Sequence, residues 1–590
     1  MSRPAPVVLQ AQSLIASGRA REAAALLDRH ARLRPRDGHA GALLGLALAI
    51  AGDHERAGFL ARRAAQEHPQ DPTVQSLCGS ALGVVGDAGR AIAAYRAALT
   101  AEPTRLEALE GLATLLVMQQ RHHEVGELAR RGLALTPSDA VFTGLLASSL
   151  SATGRARESL RLIESALARA PEDRDLLYAR AATMNYVPDL DPTAIAEAHR
   201  RFGRAETLAA GEPLSPLPPR RASDARGAGA IRVGFMSGDL RSHSCAHFLG
   251  PLLRHLDRST IEPLAFSTNA RRDAITDELR GLFASWDDLH ALGDRAAAEL
   301  IRARGTDVLI DLSGLSAGER LGVMALRAAP VQATYLGYPN TTGLESVGWR
   351  IVDAVTDPDG FERRCAERLL RLGRCFVCFG PIGPKPPEPA PRPADAPVVF
   401  ASFNVLSKLS EETVELWARV VNAAPRSSLL LKAAALAHDE ARREMQERFA
   451  IAGLSAERLT LLGWVDEDPL RTYQRADVAL DPFPYNGTTT TCEALWMGLP
   501  VVTLAGGTHA GRVGASLLTH LGKTEWVAPD PASYVRIAVG LANDPAARAA
   551  WRGRAREAVR ATIGNGEAFA REFERAITSV WSDYLKGGVA

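Results

Sequence analysis

The sequence predicts a stack of α-helical hairpins followed by two α/β lobes, each built on a doubly wound parallel sheet. Three observations predict it. Pro35, Pro69, Pro103, Pro137 and Pro171 stand 34 residues apart. From Ile231 onward, short β-rich runs alternate with helical stretches. The alternation halts at GPIGPKPPEPAPRPADAP, residues 380–397, and restarts after it, which divides the α/β region in two.

The 34-residue period defines residues 1–171 as an array of tetratricopeptide (TPR) type. Other positions keep the register. Gly18, Gly52, Gly86 and Gly154 mark the turn inside each hairpin, with Gln120 replacing one member. Gly45, Gly79, Ala113 and Ala147 recur within the first helix, and Ala23, Ala57 and Ala91 within the second. Small residues let paired helices approach, glycine permits the turn, and proline ends the second helix. Stacked hairpins form a groove suited to a protein partner. Residues 172–210 hold two more helical stretches, interrupted at Pro188 and Pro192, and read as a cap or junction. Residues 211–230, rich in Pro, Gly, Ala and Arg, read as a linker.

The first lobe is expected over 231–379, on IRVGFMS, PLAFST, TDVLIDLSG and VQATYLGYP. The second is expected over 398–590, on PVVFASFN, SSLLLK, RLTLLGW, DVALDPFP and PVVTLAG, with closing helices over 530–585. Such sheets bind ligands at the carboxyl ends of their strands, here in a cleft between the lobes.

Composition narrows the function. The 590 residues require several domains, and 69 basic against 68 acidic residues leave no charge excess for a nucleic-acid partner. No apolar run is long enough to span a membrane, and the first residues do not read as a secretory signal. Six scattered cysteines fit reduced thiols and a cytoplasmic protein. Cys375 and Cys378 form a CxxC, read as part of a buried strand in LLRLGRCFVCF rather than as a metal or redox site.

Three segments carry candidate chemistry. In DPFPYNGTTTTCEALWMGLPVV a strand ends at Asp481 and a helix opens on threonines. Unpaired N–H groups and the positive dipole end attract phosphate there, and the hydroxyls of Thr488, Thr489 and Thr490 can add donors. Glu493, one turn on, can accept from ribose hydroxyls. The same run would equally serve as a threonine-rich cap with no ligand. In FNVLSKLSEET, Asn404 ends a strand and Lys408 lies in the following loop, placed for a diphosphate or else an ordinary surface lysine. In SGDLRSHSCAHF, His243 follows the first strand of the first lobe and suits acid–base or orienting work, whereas His247 reads as helix packing.

Together these segments resemble the O-GlcNAc transferase and SPINDLY family, glycosyltransferase family 41. The stretches RVGFMSGDLRSHSCAHFLGPLL, LGYPNTTGL, FASFNVLSKLS and ALDPFPYNGTTTTCEALWMGLPVVTLAGGTHAGRVGASLL carry the resemblance. It implies a two-lobed GT-B fold and inverting, metal-independent transfer of a sugar from a nucleotide donor to Ser or Thr of proteins, without a cofactor. On this chain it implies His243 at the active site, Lys408 on the diphosphate, Thr489 and Thr490 at the phosphates, and Glu493 at the ribose. Thr488 stands where animal relatives place a histidine beside the base, and Leu315 where many bacterial relatives place another. UDP-GlcNAc, GDP-fucose and CMP-linked nonulosonic acid are the donors the family suggests, and flagellin is a leading acceptor hypothesis. The alternative is a non-catalytic TPR adaptor with a degenerate transferase lobe.

Overall fold

The computed structural model describes residues 5–215, 229–390, 392–464 and 468–587. Most of the expected linker, 216–228, lies outside the described residues. The chain forms two compact units, one of Met1–Thr153 with Arg161–Ala166 and one of Gly154–Leu160 with Leu167–Ala590.

The first unit is helical throughout, and its periodicity has a local cause at each site. All four of its 34-spaced prolines, Pro35, Pro69, Pro103 and Pro137, fall between one helix pair and the next. Gly18, Gly52 and Gly86 take left-handed φ of 75°, 92° and 89°, the conformation that turns one helix into its partner. Gln120 adopts the same region at φ 59°. Asp37, Asp71 and Asp139, again on the 34-residue register, cap the first helix of their pairs by accepting backbone N–H bonds. Ala57, Ala91 and Ala113 are fully buried, where a larger side chain would force the helices apart.

The second unit begins with the helices Arg174–Met184 and Pro192–Ala210, the latter opened by Pro192 in its first turn and capped by Asp191. Seven parallel strands follow: β1 (Ile231–Ser237), β2 (Ile261–Ser267), β3 (Ser285–Asp288), β4 (Val308–Asp311), β5 (Val331–Thr334), β6 (Trp349–Asp353) and β7 (Arg368–Leu372). Their order is β3-β2-β1-β4-β5-β6-β7. Six more form the second lobe: β8 (Val398–Ser402), β9 (Ser427–Lys432), β10 (Leu459–Leu462), β11 (Val478–Leu480), β12 (Val501–Leu504) and β13 (Val527–Ala528), in the order β10-β9-β8-β11-β12-β13. Every recorded pairing is parallel, as right-handed crossovers through helices require. In both sheets the winding reverses at the first strand, between β1 and β4 and between β8 and β11. Those two points open the crevices in which doubly wound folds bind ligands.

Two readings of the sequence are corrected. Strand β7 ends at Leu372, so the buried Cys375 and Cys378 lie beyond it, in irregular backbone packed into the core. The final helix, Gly566–Leu585, packs on the first lobe rather than the second. Its Phe573 stacks on Phe235 of β1 at 6.3 Å, and Glu574 accepts the Asp257 N–H at 2.7 Å. Burying this helix's apolar face against a sheet already flanked by Phe248 and Leu252 completes the first lobe's core. All six cysteines are free and buried.

The lobes are joined through buried polar contacts. Arg350 of β6 pairs with Asp357 at 3.0 Å, and Asp357 meets His509 Nδ1 of the second lobe at 2.5 Å. The guanidinium and imidazole hold the Asp357 carboxyl well below the usual range despite its burial. Ser516 of the second lobe donates to Asp353 at 2.5 Å. Breaking one partner would strand a buried charge, so these contacts fix the lobes in one register.

Candidate active site

On the second lobe the site is built at the crevice between β8 and β11. Beyond β11, Asp481 is buried and acts as the hub of the loop. It accepts Gly487 N–H at 2.7 Å, the Thr503 hydroxyl at 2.7 Å and the Thr491 hydroxyl at 3.2 Å. Burial pushes its carboxyl up to about 6. These bonds draw residues 481–487 into a tight loop and aim the helix Thr489–Trp496 at the crevice. Only glycine fits at 487: a Cβ there would lie 2.5 Å from the Thr490 hydroxyl and 2.8 Å from that of Thr491.

The helix opens without a side-chain cap, so among the described residues its first N–H groups are not capped by the Thr488 side chain. Thr488 and Thr489 are partly buried at that end, and their hydroxyls have no partner among the described residues. Thr490 donates to Asn404 Oδ1 at 3.0 Å, and Asn404 in turn donates to Ser402 at 3.2 Å. Asn404 thus braces the end of β8 against the helix. Glu493 accepts a 2.7 Å bond from Tyr473, and burial raises its carboxyl to about 7.

Lys408, in a short 3-10 turn after β8, donates to Asn486 O at 2.7 Å and lies 4.3 Å over the Tyr485 ring. Burial lowers its ammonium to about 8, opposed by the nearby Asp481 carboxylate. An ammonium has three donors, and two remain for a ligand. The lysine therefore stands on the same loop system as the open helix end, with a positive charge held by an aromatic face and a carbonyl.

On the first lobe His243 follows β1 in an exposed loop. Its Nδ1 is 3.4 Å from Asp239 Oδ2 and 3.4 Å from the Cys245 N–H. Burial lowers its pKa, Asp239 opposes this and Arg241 adds to it. With Nδ1 accepting from the Cys245 N–H, a neutral ring carries its proton on Nε2, and Asp239 becomes a partner of Nδ1 when the ring is protonated. His247 is packing instead, with its ring 6.0 Å from Phe379 and its Nδ1 accepting from Ile382 N–H.

The segment between the helices Arg174–Met184 and Pro192–Ala210 contacts both lobes beside the site. Tyr186, in the loop before the helix Pro192–Ala210, stacks on Tyr485 at 4.8 Å, and its neighbour Asn185 bonds Tyr338 of the first lobe at 2.6 Å. The structure thus collects Lys408, the threonine run, Glu493 and Asn404 on the second lobe, and His243 stands on the loop after β1 of the first. Sequence reasoning missed Tyr473, Tyr485 and Tyr186; only the position of Tyr485 beside the threonine run offered a signal.

Two groups of three potential metal ligands occur among the described residues: Asp239, His243 and Cys245, and Asp353, Cys375 and His520. In the first, the ion pair of His243 with Asp239 and the Cys245 N–H bond to His243 Nδ1 already tie the three residues together. In the second, the Ser516 hydroxyl bonds Asp353 and lies 3.6 Å from Cys375 and 3.4 Å from His520, so hydrogen bonding already accounts for the cluster.

Two doubly wound lobes with a phosphate-type crevice on the second and a histidine loop on the first define a GT-B fold behind a helical-repeat array. The sequence pattern of glycosyl transferase family 41 matches residues 216–380 and 391–570, and the chain belongs to that family. It is 33% identical to a mutant O-GlcNAc transferase of Thermobaculum terrenum, with a TM-score of 0.80 over 88% of this chain and 98% of the other. It is 35% identical over 432 residues to the probable UDP-N-acetylglucosamine–peptide N-acetylglucosaminyltransferase SPINDLY of Arabidopsis thaliana, covering 71% of this chain and 46% of that protein. A Caenorhabditis elegans UDP-N-acetylglucosamine–peptide N-acetylglucosaminyltransferase is 24% identical over 60% of this chain and 41% of its own. The chain spans about half the length of the curated relatives it matches.

Proposed function

We propose that the protein is an inverting protein O-glycosyltransferase, moving a sugar from a nucleotide donor to Ser or Thr of an acceptor recruited by the repeat array. The carrying observation is Lys408, held 2.7 Å from Asn486 O and over Tyr485 on the loop system that ends in the open helix Thr489–Trp496. Lys408 and the helix N–H groups stabilise the negative charge that develops on the departing phosphate. Thr488 and Thr489 add hydroxyl donors, Glu493 takes the ribose hydroxyls, and Asn404 keeps the helix in place. His243 orients or deprotonates the acceptor hydroxyl from the other lobe. Attack from the face opposite the nucleotide then inverts the anomeric carbon in one displacement. The positive charge at the phosphate comes from the chain's own groups, so transfer proceeds without a metal or other cofactor.

The donor is a nucleotide sugar, with UDP-GlcNAc the first candidate on the names of the relatives and GDP-fucose and a CMP-nonulosonic acid the others. Flagellin is one candidate acceptor, and the site of action is the cytoplasm. No helix among the described residues is long and apolar enough to cross a membrane. The test is a donor-hydrolysis panel with the three nucleotide sugars, run with and without EDTA, followed by intact-mass analysis of acceptors co-expressed with the enzyme. Turnover of one donor, unchanged by EDTA, with a matching mass increment on an acceptor supports the reading. Absence of turnover with all three would favour an adaptor.

A further inference from the structure

The loop joining the two junction helices reaches into the donor site although it belongs to neither lobe. Helix Arg174–Met184 ends there, and helix Pro192–Ala210 begins beyond it. Asn185 is 3% exposed and is bonded at both ends of its amide. Its Nδ2 donates to Tyr338 OH at 2.6 Å, and its Oδ1 accepts from Asn340 Nδ2 at 2.7 Å. Tyr338 is fixed in turn by His199 Nε2 at 2.8 Å. The backbone next to Tyr186 is therefore pinned to the first lobe.

Tyr186 itself faces the second lobe. Its ring lies 4.8 Å from that of Tyr485 with only 14° between the planes, a stacked pair. Lys408 Nζ lies 4.3 Å over the same Tyr485 ring. The Tyr485 ring is thus contacted both by the Lys408 ammonium and by the stacked Tyr186 ring. The Lys408 ammonium contacts Asn486 O and the Tyr485 ring of the second lobe, whereas the Tyr186 ring stacked on Tyr485 adjoins backbone held to the first lobe.

We infer that Tyr186 is a positioning residue for the donor phosphate: by holding the Tyr485 ring, it fixes where the Lys408 ammonium stands. The inference rests on the donor-site reading above and adds to it a residue outside both lobes. Without Tyr186 the Tyr485 ring is free to tilt, and Lys408 loses the aromatic face that orders its charge. Contacts of this kind, when partly desolvated, are worth about 2- to 30-fold in affinity.

The test is a double-mutant cycle on the full chain, read by calorimetry with UDP, GDP and CMP and with the corresponding nucleosides. Tyr186→Leu removes the ring, Tyr186→Phe keeps it, and each is made with Lys408 intact and with Lys408→Met. We expect Tyr186→Leu to weaken the nucleotide that binds wild type about tenfold, with a loss below about twofold in the Lys408→Met background. Tyr186→Phe should stay within about threefold of wild type, and nucleoside binding should be unchanged in every variant. If Tyr186→Leu does not fold by circular dichroism, Tyr186→Met fills the volume without a ring and takes its place. Equal losses in both backgrounds, or a phenylalanine variant as weak as the leucine one, overturn the inference and leave the donor site standing. A wild-type chain that binds none of the three nucleotides overturns the donor-site reading and the inference with it.

Discussion

Glu493 and Lys408 make opposite demands on pH, and burial pushes them toward one another on the scale. The carboxyl of Glu493 is raised to about 7, and the ammonium of Lys408 is lowered to about 8. Accepting ribose hydroxyls requires the carboxylate, and holding phosphate requires the ammonium. Nucleotide affinity should therefore rise as pH climbs through about 7 and fall as it climbs through about 8, giving a narrow maximum between them. Bound nucleotide supplies each charge with a partner, so the profile of the complex should be broader on both limbs. Calorimetry across pH 6 to 9 checks this, with Glu493→Gln expected to remove the acid limb. A flat acid limb in wild type would take Glu493 out of the binding site. In the free protein the same raised carboxyl has a stability cost. What Glu493 contributes is fully present below its unfolded value of about 4.5 and is lost as pH rises through about 7. His243 differs in kind, since it stands on the first lobe and its recorded contacts are with Asp239 and Cys245 of its own loop. His243→Ala should lower transfer more than tenfold while nucleotide affinity changes little, because acid–base assistance is worth about 10²–10⁴-fold where it operates. A mutant that transfers normally, or that fails only through lost nucleotide binding, would put His243 in another role.

The helix pairs show which elements a sequence exposes and which it hides. Each repeat stacks on its neighbours, so the same physical need recurs every 34 residues and leaves the same residue behind, whether proline between pairs, left-handed glycine within them or capping aspartate. Gln120 breaks the series while keeping the geometry, at φ 59° where the others are glycine. A side chain in that region costs about 1 kcal/mol relative to glycine. Gln120→Gly should therefore stabilise the first unit by up to about 1 kcal/mol, less the 3.2 Å contact between Gln120 and His122. Chemical denaturation of the wild-type and variant chains measures it, and a loss of stability would show that the His122 contact outweighs the backbone strain. Strands β3 and β13 left no such trace. The first is SWDD, half-exposed at a sheet edge, and the second is two residues long, so neither offers the apolar run that marks a central strand. The strand Val478–Leu480 and the helix Thr489–Trp496 were legible because the apolar run and the threonine run are contiguous. The bond from Tyr473 to Glu493 and the trio of Arg350, Asp357 and His509 were not, because partners brought together by the winding of the sheets share no local spacing.

At the scale of the whole molecule, the boundary between the two compact units lies inside a helix pair. The proline period extends to Pro171, yet Gly154–Leu160 belongs to the second unit. A Cβ on Gly154 would lie 2.4 Å from Leu409 O, beside the Lys408 turn, and Arg157 pairs with Glu412 at 2.6 Å at the start of the helix Glu411–Ala423. Two truncations should consequently behave differently. Removing residues 1–153 deletes the groove while keeping these contacts; the chain should bind nucleotide and hydrolyse donor slowly but no longer modify its protein acceptor. Removing residues 1–171 also strips Arg157 from Glu412 and uncovers Leu409, and should lower the thermal midpoint and weaken nucleotide binding as well. The ion pair is partly exposed and is worth at most about 1 kcal/mol, so most of the difference should come from the lost packing. Thermal unfolding, nucleotide calorimetry and intact-mass analysis of the acceptor, run side by side, separate the two effects. Efficient modification of a full-length acceptor by either truncated chain would show that recruitment does not depend on the array, and equal stability of the two would place the boundary at Pro171 after all.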